Sequence, residues 1–333
     1  MFIFQTGQRR CYDEEGRVVP CMGLGQDGEI QTGIPLPERR FRPVGEGIVK
    51  DMLTGLEWAQ DAAINVFPQS WEDALLFVKS LNERGFQGFN DWRMPNRREL
   101  RSLLYLEAKN PCLYPGHSFI NVFHGWYWTS TTAAINTRYA WYIHLGGARM
   151  FYGRKDQECM LWPVRGESDL VLATGQKGCW NVSGEEIPCA NTGQDGEYQA
   201  GVKWPNPRFL HKGEVVEDRL TGLFWTRNAD ISGGMVSWPE AFKIVRELNS
   251  KELGGFSDWR LPNINELESL VDCSKHSPAV PEDSCFKNVR EFYWSSTTSI
   301  YDPPWAWALY MFKGATGVGL KRLRNFYVWA VRG

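Results

Sequence analysis

The chain has 333 residues, with 37 Lys and Arg against 39 Asp and Glu, for a formal net charge of −2. So even a balance sets up no global field for nucleic acid or an anionic membrane. No apolar run approaches the roughly 20 residues that span a bilayer. Glycine (33), tryptophan (16) and tyrosine (12) are abundant, as in a loop-rich β or α+β protein. Met1-Phe-Ile-Phe4 is apolar but far too short for a signal peptide, so the chain is either cytoplasmic or has lost its export signal.

The sequence is written twice. Gly88-Phe-Asn-Asp-Trp-Arg-Met-Pro-Asn-Arg-Arg-Glu-Leu100 returns as Gly255-Phe-Ser-Asp-Trp-Arg-Leu-Pro-Asn-Ile-Asn-Glu-Leu267, an offset of 167. Thr54-Gly-Leu and Thr221-Gly-Leu keep that offset, and the pairs Cys11/Cys21 and Cys179/Cys189 keep one of 168. A period this long exceeds the roughly 20–50 residues of solenoid repeats. It predicts two domains of one fold, 1–167 and 168–333, each large enough to bury its own core.

Residues 5–50 read as turns and short strands. Gly25-Gln-Asp-Gly28 and Gly193-Gln-Asp-Gly196 carry Asp-Gly, a hairpin-turn dipeptide. Asp27/Glu29 and Asp195/Glu197 are also conceivable calcium ligands, although calcium wants about six or more oxygens and the EF-hand spacing is missing. Asp51 to Trp58 and Asp218 to Trp225 read as a turn entering a strand. Ser70 and Asp73, then Ser237 and Glu240, open a first helix in each half. Trp71, Ala74, Leu75, Val78 and Leu81 share one face of it, as do Trp238, Ala241, Val245 and Leu248. Asn82 and Asn249, with the glycines beyond, end these helices. Asn96 with Glu99, and Asn263 with Glu266, open a second helix in each half.

Three strand-like runs follow in each half. They are Trp126 to Thr131, Tyr139 to Leu145 and Met160 to Arg165, repeated as Phe292 to Thr297, Pro304 to Phe312 and Phe326 to Arg332. Alternation puts Trp141, Ile143 and Leu145, and likewise Trp307, Leu309 and Met311, on a buried face. Pro163 marks an edge or bulge.

Eight cysteines that divide evenly within the repeats suggest disulfides and an oxidising compartment. The expected pairs are Cys11–Cys21, Cys179–Cys189, Cys112–Cys159 and Cys273–Cys285, against the alternative of eight reduced thiols. No zinc-ligand spacing is present. Nucleophile elbows, zincin motifs and phosphate or dinucleotide loops are likewise missing. Asp91/Arg93 and Asp258/Arg260 read as structural clamps rather than catalytic pairs. The Ser-Thr-Thr runs read as plain strand.

Aromatic and basic residues gather late in each half. Tyr301, Trp305, Tyr310, Arg322 and Arg324 are the expected ligand-binding surface, with Tyr142 and Arg154 as first-half candidates. Aromatic platforms with polar neighbours suit saccharide or protein ligands.

Thr-Gly-Leu-x-Trp, Ser-Trp-x-(Asp/Glu)-Ala, Asp-Trp-Arg-(Leu/Met)-Pro-Asn-x-x-Glu-Leu, Tyr-Trp-(Ser/Thr)-Ser-Thr and a closing Val-Arg-Gly, in this order, resemble the Lcl C-terminal domain family. The family is named for part of a Legionella collagen-like adhesin. The resemblance covers nearly the whole chain, twice. It implies an α+β, C-type-lectin-like fold related to formylglycine-generating enzymes: two helices on a small twisted antiparallel sheet with long loops. It further implies a non-enzymatic glycan- or protein-binding role at the cell surface, or as a secreted protein. Two other readings stay open, a formylglycine-type oxidase relative and a structural envelope subunit. Against the oxidase, paired cysteines near the C-terminus are missing.

Overall fold

The computed structural model describes residues 3–333; Met1 and Phe2, half of the apolar opening tetrapeptide, lie outside the described residues. The chain forms two compact units, but not by halves. One unit is residues 36–203, and the other joins residues 1–35 to 204–333. The sequence repeat of 1–167 and 168–333 and the compact units thus have different boundaries. The lead segment of each repeat, residues 3–35 or 168–203, belongs to the unit built by the other repeat.

The helices are α1 (Asp27–Ile30), α2 (Trp71–Glu83), α3 (Arg97–Ser102), α4 (Asp195–Tyr198), α5 (Trp238–Ser250) and α6 (Ile264–Ser269). In the 36–203 unit, strands Phe41–Pro43, Ile48–Asp51, Glu57–Ala59 and Val164–Arg165 make one antiparallel sheet. Trp126–Thr132, Tyr139–His144 and Met150–Arg154 make another. The split unit repeats this with Phe209–Lys212, Val215–Asp218, Leu223–Thr226 and Val331–Arg332, then Phe292–Thr298, Trp305–Tyr310 and Ala315–Leu320. The fold is α+β, as expected.

Both long helices start where their caps predict. The Ser70 hydroxyl accepts from Asp73 N–H at 3.2 Å, and Ser237 N–H donates to Glu240 at 2.8 Å. Trp71, Ala74, Val78 and Leu81 are buried along α2, and Trp238, Ala241, Phe242 and Val245 along α5. Asn82 and Asn249 stand in the last turn of these helices, as expected, and their carbonyls accept from the capping N–H groups of Arg84 and Lys251. Each clamps the backbone of the signature tryptophan: Asn82 gives and takes a hydrogen bond with Trp92 at 2.8 Å each, and Asn249 does so with Trp259. Asn96/Glu99 and Asn263/Glu266 form complete capping boxes at α3 and α6.

Asp and Arg of Asp-Trp-Arg clamp, but not each other. Arg260 is bidentate to Glu266 at 2.6 and 2.7 Å, and Arg93 pairs with Glu99. Asp91 and Asp258 instead hold Arg165 and Arg332 of the closing Val-Arg-Gly at 2.8 and 2.7 Å. One short motif thereby ties the second helix of each unit to its last strand. Asp51 and Asp218 hold buried Arg40 and Arg208 in further bidentate pairs. Removing one partner of such a pair leaves an uncompensated buried charge, costing about 3–5 kcal/mol.

Trp141 and Trp307 are core residues, each 2% exposed. The third strand of the second sheet was not expected from the sequence. In Ala315-Thr-Gly-Val-Gly-Leu320 the glycines break the apolar alternation because rings lie across the strand. A Cβ on Gly317 would come within 2.6 Å of the Tyr310 ring, and one on Gly319 within 2.2 Å of the Phe326 ring. The expected closing strands shrink to Val164–Arg165 and Val331–Arg332. Asp-Gly does not make a hairpin turn; it opens the one-turn helices α1 and α4.

Candidate functional site

Each lead segment folds around a disulfide, Cys11–Cys21 or Cys179–Cys189. Within it, every residue of Gln-Asp-Gly-Glu has a defined contact. Gln26 closes two hydrogen bonds on the Tyr12 backbone, both 2.9 Å, and Gln194 does the same on Trp180. Glu29 accepts from the N–H groups of Gly23 and Gly25 at 2.6 and 2.7 Å; Glu197 accepts from Asn191 and Gly193. The glycine lets the chain pass close by, since a Cβ on Gly28 would sit 2.3 Å from the Arg10 carbonyl oxygen. The Glu29 and Glu197 oxygens, considered above for calcium, are thus engaged by backbone amides.

The aspartate reaches the repeat domain. Asp27 Oδ2 accepts from Thr6 at 2.7 Å and Thr297 at 2.6 Å, and Asp195 Oδ2 from Thr174 and Thr131 at 2.7 and 2.6 Å. Burial raises both carboxyls to about 6, although the threonine hydroxyls pull the other way. Gln8 and Gln176 each span the backbone of Thr298 or Thr132. The Ser-Thr-Thr strands are therefore docking edges for the lead segments, which their composition did not reveal. A further contact is a buried lysine. Lys155 Nζ lies 4.1 Å from the Trp71 ring centre and donates to the Trp180 carbonyl at 2.8 Å. Lys321 lies 4.2 Å from Trp238 and donates to the Asp13 carbonyl at 3.1 Å. Burial pulls both ammonium groups down to about 7.

In the 36–203 unit this docking leaves a groove of about 300 Å³ between α2 and the Cys179–Cys189 hairpin. Trp71, Leu75, Leu76, Trp180, Ile187 and Tyr198 line it, with Glu72, Lys79, Asn181 and Glu197 among the polar groups. Leu76, Val182 and Tyr198 are exposed large apolar residues at this place. Groups of both kinds converge in this one concavity. In the split unit Phe242 replaces Leu75, buried with its ring 4.8 Å from Trp238.

The surface expected from the sequence is only partly assembled. Trp305 pairs with Leu320 across the sheet, so Tyr301, Trp305, Arg322 and Arg324 share one end of it. Tyr301 is exposed, Trp305 half-buried, and Arg324 pairs with Glu240. Tyr310 stands at the opposite end, with its hydroxyl bonded to the Val318 carbonyl and its ring against Phe292 and Phe326. Its face is a second core layer under α5, with Ala306, Ala308 and Trp294. At the matching sheet end of the other unit, Asn136, Arg138, Tyr139, Arg154 and Asp156 border a cavity of about 230 Å³. Arg154 pairs with Asp156. Tyr142 is elsewhere, half-buried against Trp126 at 4.2 Å.

Four cysteines expected in disulfides are not disulfide-bonded. Cys112, Cys159 and Cys273 are buried thiols and Cys285 is exposed. Cys112 donates to the Lys109 carbonyl, and Cys159 is in a backbone bridge with Gln69. Cys285 lies beside the Asp283 carbonyl at 3.5 Å. Burial pushes Cys112 up to about 11 and Cys159 to about 12.

Residues 47–165 and 214–332 each match the model of the Lcl C-terminal domain family. No curated protein matches the chain. The matched stretches leave out both lead segments, the parts that complete the units, one of which (168–203) walls the groove.

Proposed function

The chain belongs to the Lcl C-terminal domain family, and from that premise we propose a non-enzymatic, lectin-like binding protein of the cell exterior that holds a saccharide between α2 and the Cys179–Cys189 hairpin. The groove carries this reading. Sugars present apolar ring faces and a fringe of hydroxyls. Trp180 and Tyr198 offer rings to the first, and Glu72, Lys79 and Asn181 offer polar groups to the second. Two disulfides support an oxidising compartment. The buried thiols, held protonated, are poor nucleophiles and poor metal ligands, which weighs against oxidase chemistry.

The test is binding of the full chain to an array of neutral, acidic and sulfated oligosaccharides, followed by titration of the best ligand. Trp180→Ala and Tyr198→Ala are expected to weaken binding by about tenfold or more each, as aromatic anchors do, with melting unchanged. Retention of full affinity by both variants, or binding of no glycan at all, would overturn the reading. Loss of binding in Trp305→Ala alone would move the site to the sheet end.

A further inference from the structure

The two lead segments dock through the same chemistry. Thr6, Gln8 and Asp27 match Thr174, Gln176 and Asp195; Asp27 and Asp195 meet Thr297 and Thr131, Gln8 and Gln176 meet Thr298 and Thr132, and Lys321 and Lys155 reach the carbonyls of Asp13 and Trp180. Asn265 adds a bond to the Phe4 carbonyl at 3.0 Å, and Arg98 adds one to the Ala173 carbonyl at 2.6 Å. Each segment completes the repeat it does not belong to. That is the arrangement of a segment-swapped dimer, here contained in one chain.

We propose that residues 3–35 are an exchangeable donor, and that the docking edge at Thr297–Thr298 accepts the same segment from a second copy of this chain. Docking between copies makes the same hydrogen bonds as docking within one. Only the effective concentration set by the connecting chain favours closure, and identical elements exchange at low cost. Nothing in the contacts distinguishes the chain's own segment from another's. The buried Asp27 carboxylate sets the specificity, because an edge without the Thr297 hydroxyl leaves a buried acceptor short of a donor. The partner is thus a second copy, joined reciprocally as a dimer or head to tail as a string.

The test mixes two full-length variants. One carries Gln8→Ala with Asp27→Ala and has a defective donor; the other carries Thr297→Val and has a defective acceptor. Each alone is expected to run at the mass of one chain, 38.2 kDa. Mixed, the intact donor of one meets the intact acceptor of the other, and light scattering should read a doubled mass. Placing all three substitutions in one chain should abolish that gain. A mixture that stays monomeric while hydrogen exchange shows residues 3–35 released would overturn the proposal. A second measurement does not depend on the variants folding. Two isotope-labelled populations of the native chain are unfolded in urea with disulfides intact, mixed, and refolded at high concentration. Mixed-label dimers in native mass spectrometry support exchange; monomers alone at every concentration overturn it.

Discussion

Gln8 closes a two-bond amide bridge on Thr298, 290 residues away: its Nε2 donates to the Thr298 carbonyl at 2.9 Å, and its Oε1 accepts from the Thr298 N–H at 2.8 Å. Both groups are buried. Gln8→Ala orphans one donor and one acceptor, at about 1–3 kcal/mol each. Urea melts should show a loss of that order, and Gln8→Glu, which keeps only the acceptor, should not restore it.

Asp27, Asp195, Lys155 and Lys321 predict an unusual pH dependence. Burial raises the two carboxyls to about 6 in the folded chain, above their ordinary value of 3.8. The folded state binds more protons between those values, so their contribution is full below about 4 and lost as pH rises through about 6. Burial lowers the two lysines to about 7, below their ordinary value of 10.5. Their contribution is full above about 10.5 and lost as pH falls through about 7. For these four groups stability is lowest near pH 6–7. Asp27→Asn with Asp195→Asn should flatten the acid limb of melting temperature against pH, and Lys155→Met with Lys321→Met the alkaline limb.

Much of the fold was legible because it rests on local signals. Capping residues, the helical stripes and the alternation around Trp141 and Trp307 placed both helices and two strands of each unit. The third strand was hidden because Gly317 and Gly319 give up their side chains to make room for rings. Crossing of the lead segments was hidden because the partners of Gln8 and Asp27, Thr298 and Thr297, lie 290 and 270 residues away, and a repeat offset is the same whichever copy is joined. Tyr310 was misplaced because alternation shows only that it faces away from Trp307. In this fold both faces of the strand are covered. The cysteine count was even, but parity carries no geometry: the Cys112 backbone is bonded to Tyr105 and Leu145, and that of Cys159 to Gln69.

Among the four cysteines outside disulfides, Cys285 alone is exposed. Native alkylation without reductant should label Cys285 alone at neutral pH, since Cys112 and Cys159 are buried and raised to about 11 and 12. Labelling of Cys11, Cys21, Cys179 or Cys189 before reduction would show that the two hairpins are open.

Trp307 is buried between strands, whereas Trp305, two residues earlier, is half-buried at the sheet end. Trp307→Ala should destabilise by roughly 3–5 kcal/mol. Trp305→Ala should shift the melting temperature far less. Equal losses from the two would contradict the assignment of the sheet end as surface.

Hydrogen exchange at two amides tests most directly whether the lead segments cross between repeats. Thr298 N–H is bonded to Gln8 and Thr132 N–H to Gln176. In Gln8→Ala, the Thr298 amide should lose protection while the Thr132 amide keeps it, and Gln176→Ala should do the reverse. If Gln8→Ala instead exposes Thr132, each lead segment serves its own repeat, and the crossed arrangement, together with the groove it walls, is wrong.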